Sequence, residues 1–265
     1  MTEAPAAAAA TATFTITFGD CAENHVGMEK LGVKAEQGFD KACIMRAKSA
    51  FEAKGRTCEL HALHDALPDE KQRVDPAHEA YLLVVREGLA ALADTKLLLA
   101  EMSGLAWDKK AKMKGKVVDK HARWNLCFAD RASSPDYDQG RGRVVAFSSL
   151  PVLNRVRGGI AEMLGDQGKG LLAEGNHYYD VSKCYIGWHG DAERRKVVAV
   201  RLGASMPLAY QWFQQGVQVG GKRTVTLHHG DLYIMSAKAV GTDWKLRKTL
   251  TLRHAAGTQG IKVSP

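Results

Sequence analysis

The 265-residue chain has no apolar run approaching the roughly 18 residues that a membrane helix needs, so a membrane span is not expected and the sequence reads as a soluble protein. It also lacks any CxxC pair: the five cysteines (Cys21, Cys43, Cys58, Cys127 and Cys184) are odd in number and widely scattered. That spacing argues against a zinc ribbon and a disulfide framework, so no disulfide partner is expected. A reducing compartment, cytoplasmic or nuclear, fits best. Residues 1 to 13 (MTEAPAAAAATAT) have no basic segment and read as a disordered Ala/Thr-rich leader rather than a signal peptide. No internal repeat is present.

What is there is globular in composition, 45% hydrophobic and 25% charged, enough for one large domain or two small ones. The net charge of +8 is unevenly placed. From Ser182 to Pro265 there are 13 Lys/Arg against 4 Asp/Glu, a surplus of nine, while the 24 Lys/Arg and 25 Asp/Glu before it nearly cancel. An anionic co-substrate or a nucleic acid would be drawn to the C-terminal part.

TFTITF (13 to 18) alternates like a strand. Residues 76 to 103 carry apolar positions at helical spacing and predict a long helix, with Asp75 as N-cap and Pro76 at the first position. SSPDYDQGRGR (133 to 143) reads as a loop, and PVLNRVRGGIAEML (151 to 164) as a second helix. After about residue 170 come eight short β-branched or aromatic runs: NHYYDV, CYIGWH, KVVAVRLGA, AYQWFQQ, RTVTLHH, DLYIMSA, KTLTLRHA and GIKVSP. Their spacing of about ten residues predicts a β-sandwich or jelly roll. The expected fold is therefore α+β: a mixed α/β region over 14 to 140, packed against a jelly roll (double-stranded β-helix) over 141 to 265.

YIGWHGDAERR (185 to 195) places His189 and Asp191 on one face of an extended segment. An imidazole and a carboxylate on one face are two thirds of the 2-His-1-carboxylate set that holds Fe(II) and leaves coordination positions open. A jelly roll brings the start and end of its strand series together, so a downstream His should complete the set. The candidates are His228, His229 and His254. His254, in the late run TLTLRHAAG, is preferred.

NHYYDVSKCYIGWHGDAERRKVVAVRLGA followed by LHHGDLYIM resembles the core of the AlkB-like Fe(II)/2-oxoglutarate dioxygenases. The resemblance covers about 80 residues and rests on Asn176/Tyr178, His189/Asp191, Leu202/Gly203 and His229/Gly230/Asp231. It implies a jelly roll that binds Fe(II), 2-oxoglutarate and O2, with ascorbate as a candidate reductant. The implied function is hydroxylation or oxidative demethylation, with an alkylated or methylated nucleic-acid base as the leading substrate. A protein, peptide or free amino-acid hydroxylase is the alternative, and a non-catalytic nucleic-acid-binding relative is a third reading.

The family also carries an Arg-x5-Arg pair for 2-oxoglutarate after its distal His. Arg247 and Arg253 have that spacing, but no His lies between His229 and His254. Either His254 is the ligand and the pair is coincidental, or the pair serves the co-substrate and the second His is missing; the first is preferred. Arg201, alone in the apolar run VVAVRLGA, is then the preferred anchor for the far carboxylate of 2-oxoglutarate, and Lys262 the second. Asn176 and Tyr178 are expected to hydrogen-bond the co-substrate. Trp188, Tyr210, Trp212 and Trp244 could stack a base, and Arg194, Arg195 and Lys196 are expected at the pocket rim.

Overall fold

The computed structural model describes residues 11–262. In chain order the elements are β1 (Thr13–Gly19), β2 (Cys21–Glu23), β3 (Lys30–Gly32), α1 (Lys41–Ala53), β4 (Cys58–Ala62), α2 (Glu70–Val74), β5 (Tyr81–Val85), α3 (Thr95–Ser103), β6 (Lys110–Met113), β7 (Lys116–Asp119), β8 (Trp124–Ala129) and β9 (Val144–Ala146). There follow α4 (Pro151–Leu164), β10 (Leu172–Tyr178), β11 (Ile186–His189), β12 (Val197–Gly203), β13 (Met206–Gln214), β14 (Val217–Leu227), β15 (Leu232–Met235), β16 (Thr251–Ala256) and α5 (Thr258–Lys262).

The architecture is mixed α/β, with most strands in two antiparallel sheets. The large sheet has eight strands in the order β4-β5-β15-β12-β1-β10-β8-β9, and only its β8–β9 edge is parallel. The small sheet runs β11-β16-β13-β14, and β2–β3 and β6–β7 are separate two-stranded hairpins. Among the described residues no sheet closes into a barrel. Strands from before and after residue 140 interleave in the large sheet, β1 lying between β12 and β10.

β1 shows how the layers form. Phe14, Ile16 and Phe18 turn to one side and join a core with Ile44, Phe51, Leu153, Val156 and Ile160 from α1 and α4. Burying each such side chain contributes about 1.5–3 kcal/mol. α1 fits because Asp40 caps it, accepting from Cys43 N, and Cys43, Ile44, Ala47 and Phe51 share one face. α4 begins at Pro151, which needs no amide partner there, and buries Leu153, Val156, Ile160 and Leu164 at helical spacing. Thr13, Thr15 and Thr17 turn to the other side, and they too are buried. There a second core joins Leu82, Val84, Val197 and Ala199 of the large sheet to Leu208, Trp212 and Leu227 of the small one. The result is three layers: helices, large sheet, small sheet.

The structure corrects three expectations. The segment 76 to 103 is not one helix. It contains a 3-10 turn at Pro76–His78, the fully buried strand β5, a second 3-10 turn at Gly88–Ala91 and the short helix α3. Asp75 does cap, but it caps the turn, accepting from Ala77 N. YLLVV is buried on both faces between β4 and β15, and a continuous apolar run of that kind mimics helical periodicity. Glu87 in the left-handed region and the Asp94 N-cap mark the breaks. The described part of GIKVSP, residues 260 to 262, is helical and not a strand: Gly257, with φ +82°, ends β16, and residues up to Lys262 form α5, while 263 to 265 lie outside the described residues. Last, Thr11 and Ala12 belong to the fold, accepting from Val181 N and Ala204 N, so a leader reading applies at most to residues 1 to 10, outside the described residues.

Candidate metal centre

β11 and β16 are neighbours in the small sheet, and their register sets His189 opposite His254. Asp191 follows β11 after one glycine, its amide donating to Val240 O. A side chain at Gly190 would collide with the Gly241 carbonyl, so only glycine lets the chain turn Asp191 back toward the two histidines. Both His Nε2 atoms face Asp191 Oδ1, at 3.6 Å from His189 and 3.5 Å from His254, and the imidazole centroids lie 4.4 Å apart. The three ligand atoms lie within 4.8 Å of one another, close enough to hold one metal ion. His189 Nδ1 lies 2.7 Å from Gly187 O; donation there leaves Nε2 with its lone pair toward the centre. Burial, helped by His254, pushes His189 down to about 3 and keeps it neutral. His254 Nδ1 is buried without a partner among the described residues.

Burial alone would raise the Asp191 carboxyl. Arg194, His254 and His189 outweigh it and hold the group below the usual carboxylate range. Arg194 is the hub of a buried charge cluster. Its guanidinium contacts Glu174, lies 2.8 Å from Glu193 Oε1 and sits 3.6 Å from Asp191 Oδ2. Asp191 is thereby kept ionised, as a metal ligand must be.

The centre stands where two spaces meet. An inner cavity of about 60 Å³ lies between the sheets, and an outer cleft of about 620 Å³ opens to solvent; His189, Asp191, Glu174 and Arg194 line both. Arg201 lines the inner cavity, and it is 1% exposed. Among the described residues its Nε has no partner, its Nη1 meets only the Met206 sulfur at 3.4 Å, and the Tyr178 ring lies 5.9 Å from the guanidinium. Burial pushes its pKa down. No carboxylate pairs with Arg201 among the described residues. An isolated buried guanidinium is costly, and an anion in the cavity would offset that cost.

The chain is 45% identical over 245 residues to an uncharacterized protein of Acanthamoeba polyphaga mimivirus, an alignment covering 92% of this chain and 95% of that one. The chain belongs to that protein's family. No protein-family model matches it.

Of the other residues singled out in the sequence, Asn176 and Tyr178 line the inner cavity. Asn176 is engaged by the protein: Oδ1 accepts from Arg123 Nε at 2.6 Å and from Asn125 Nδ2 at 2.8 Å. Trp188 and Trp244 line the outer cleft, whereas Trp212 is core, donating to Leu63 O, and Tyr210 packs beside His254. Arg194 is no rim residue: it is 3% exposed because three carboxylates draw it inward. Arg195 is exposed, with its amide donating to Asp20. Lys262 is exposed on α5 and lines neither space, so the anchor role considered for it does not fit. His228 and His229 lie elsewhere, facing Ser205 Oγ and Gly203 N. The sequence reading missed Thr15, Thr17, Glu174 and Tyr233. A signal existed for the first three: threonines alternating with large apolar residues, and an acid two positions before Asn176 on the same strand face.

Proposed function

We propose that the protein is an Fe(II)- and 2-oxoglutarate-dependent oxygenase of AlkB-like type, its facing sheets an opened jelly roll. One observation carries this reading: a His/Asp/His donor set and an unpaired buried arginine line the same small cavity. The donor set alone names no metal, since two histidines and a carboxylate also hold catalytic zinc. Arg201 narrows the choice. 2-Oxoglutarate carries a carboxylate at each end; with one end at the metal, the other needs a planar cationic fork in a dry pocket, which Arg201 offers. Among the described residues the donors that fit iron are His189, Asp191 and His254.

Bound iron would supply oxygen activation: O2 converts 2-oxoglutarate to succinate and CO2, and one oxygen atom enters a substrate C–H bond, as hydroxylation or as N-demethylation. The chain's own contribution is placement. Gly187 fixes the His189 tautomer, Arg194 keeps Asp191 ionised, and Ile186, Val197, Leu208 and Met235 exclude water from the inner cavity.

An alkylated or methylated nucleic-acid base is the proposed substrate. The surplus of positive charge after Ser182 supports it, and so does the β6–β7 hairpin (KKAKMKGKVVDK, 109 to 120), which carries Lys109, Lys110, Lys112, Lys114, Lys116 and Lys120. Lys120 Nζ donates to Asn24 Oδ1 at 2.6 Å, tying the hairpin to a residue of the outer cleft. The complete donor set favours an enzyme over a non-catalytic relative. Iron-dependent formation of succinate from 2-oxoglutarate tests the activity; none in the iron-loaded protein ends this reading. For the substrate, single-stranded oligonucleotide affinity should fall with salt at a log–log slope of roughly −0.7 per phosphate contacted. A flat salt response without methyl loss from a methylated oligonucleotide would favour the peptide or amino-acid hydroxylase.

A further inference from the structure

The alternation that turns His189 and His254 toward the inner cavity turns their predecessors, Trp188 and Arg253, to the opposite face of the small sheet. There Trp244 folds over Arg253: the guanidinium carbon lies 4.2 Å from the Phe213 ring centroid and 5.4 Å from that of Trp244. Arg253 is 9% exposed, its Nε is buried without a partner, and no carboxylate pairs with it among the described residues. Stacking holds the guanidinium in place but does nothing to replace the water its N–H groups have lost.

The other buried, unpartnered groups of the cleft have the same polarity. Its buried, unpartnered side-chain atoms are Trp188 Nε1, Arg194 Nη1, Trp244 Nε1 and Arg253 Nε, all of them donors. Its acids are already engaged: Glu174, Asp191 and Glu193 surround Arg194, and Glu23 accepts from Gly27 N. Lys245, its Nζ 5.7 Å from the Trp244 ring centroid, adds a further cation to the cleft. A wall whose buried, unpartnered atoms are all donors fits a group that accepts, and an ionised oxyanion accepts at every lone pair.

We infer that the outer cleft carries an oxyanion subsite centred on Arg253, which takes a carboxylate or phosphate of the substrate and not of the co-substrate. Arg253 lines the outer cleft only, and Arg201 the inner cavity only, so the two arginines serve different anions. That the outer anion belongs to a substrate rests on the oxygenase reading; that the subsite binds an anion does not.

The test uses the full chain freed of metal, titrated with inorganic phosphate and separately with acetate, followed by tryptophan fluorescence and thermal melting. Saturable binding is expected for at least one anion. Tighter phosphate binding points to a phosphoester substrate and tighter acetate binding to a carboxylate one, and either supports the subsite. Arg253→Met should weaken binding at least about tenfold, as loss of a charge-assisted hydrogen bond implies. Arg253→Lys should recover most of it, and Arg201→Met should leave it unchanged. Saturating 2-oxoglutarate with Mn(II) should not displace the anion. Wild-type affinity in a folded Arg253→Met, loss in Arg201→Met instead, displacement by 2-oxoglutarate, or no saturable binding of either anion would each overturn the inference. No arm involves turnover, so absence of succinate formation would remove the oxygenase reading and leave this subsite standing.

Discussion

His189 and His254 are register partners across β11 and β16, with imidazole centroids 4.4 Å apart. A slip of one residue in that pairing would turn His254 away and bring Arg253 to the cavity, because successive side chains alternate faces. The sheet register therefore builds the donor set. His189→Ala, Asp191→Ala and His254→Ala should each weaken Co(II) or Mn(II) binding by more than the roughly 10–100-fold that loss of an outer partner costs. His229→Ala removes only the acceptor of Gly203 N, so metal affinity should hold while stability falls by about 1 kcal/mol. Equilibrium dialysis and urea unfolding check both, and an exchange of phenotypes between His229 and His254 would move the third ligand.

Arg194→Met leaves Glu174, Asp191 and Glu193 near one another with their shared counter-charge gone. Breaking a buried pair from one side costs about 3–5 kcal/mol, and the metal-free variant should lose that much in urea unfolding. Saturating Mn(II) should restore part of it by returning positive charge beside Asp191. Wild-type stability without metal would show that the cluster does not depend on Arg194.

Much of this was legible because it depends on local pattern. Strict alternation marked β1, Pro151 with apolar spacing marked α4, and the first seven short runs after residue 170 marked the late strands β10 to β16, while the eighth overlaps α5. His189, Asp191 and His254 could be named because a strand face and a late strand restrict where ligands can come from. The failures have physical causes. YLLVV is flanked by β4 and β15, partners that nothing local announces, so its apolar run read as part of a helix. Arg194 looked like a solvated rim charge because its partner Glu174 is 20 residues away on β10. The cleft wall at Glu23–Val26 reaches the centre only because β1 inserts between β10 and β12, a pairing across more than 150 residues.

His177 gives the fold an acid-sensitive element. It stacks on Phe14 at 4.3 Å with Trp107 and Trp124 around it, and burial, then Lys109, pushes it down to about 4. A base with its folded pKa below the unfolded value near 6.5 is protonated first in the unfolded chain. Its contribution to stability is complete above pH 6.5 and is lost as pH falls toward 4, by at most about 3 kcal/mol. His177→Phe keeps an aromatic ring in the box and removes the proton site. The variant should match wild type near pH 7 and exceed it by about 1–3 kcal/mol at pH 4.5 in denaturant unfolding. Parallel pH profiles would assign the acid sensitivity to other groups.

Arg201 sets function against stability, and the two measurements should move in opposite directions. In the folded chain its guanidinium is desolvated and meets no carboxylate among the described residues, only the Met206 sulfur and the Tyr178 ring. Replacing an uncompensated buried charge with an apolar side chain of similar length relieves that cost, so metal-free Arg201→Met should be at least as stable as wild type. With 2-oxoglutarate bound the balance reverses, because the same guanidinium would pair with the far carboxylate. Loss of that contact should cost about 2 kcal/mol or more, at least roughly a thirtyfold rise in KM for 2-oxoglutarate. Lys262→Ala, altering an exposed residue of α5, should change neither quantity. A large loss of stability in Arg201→Met with unchanged KM would make Arg201 a structural cation and end its assignment as the anchor for 2-oxoglutarate.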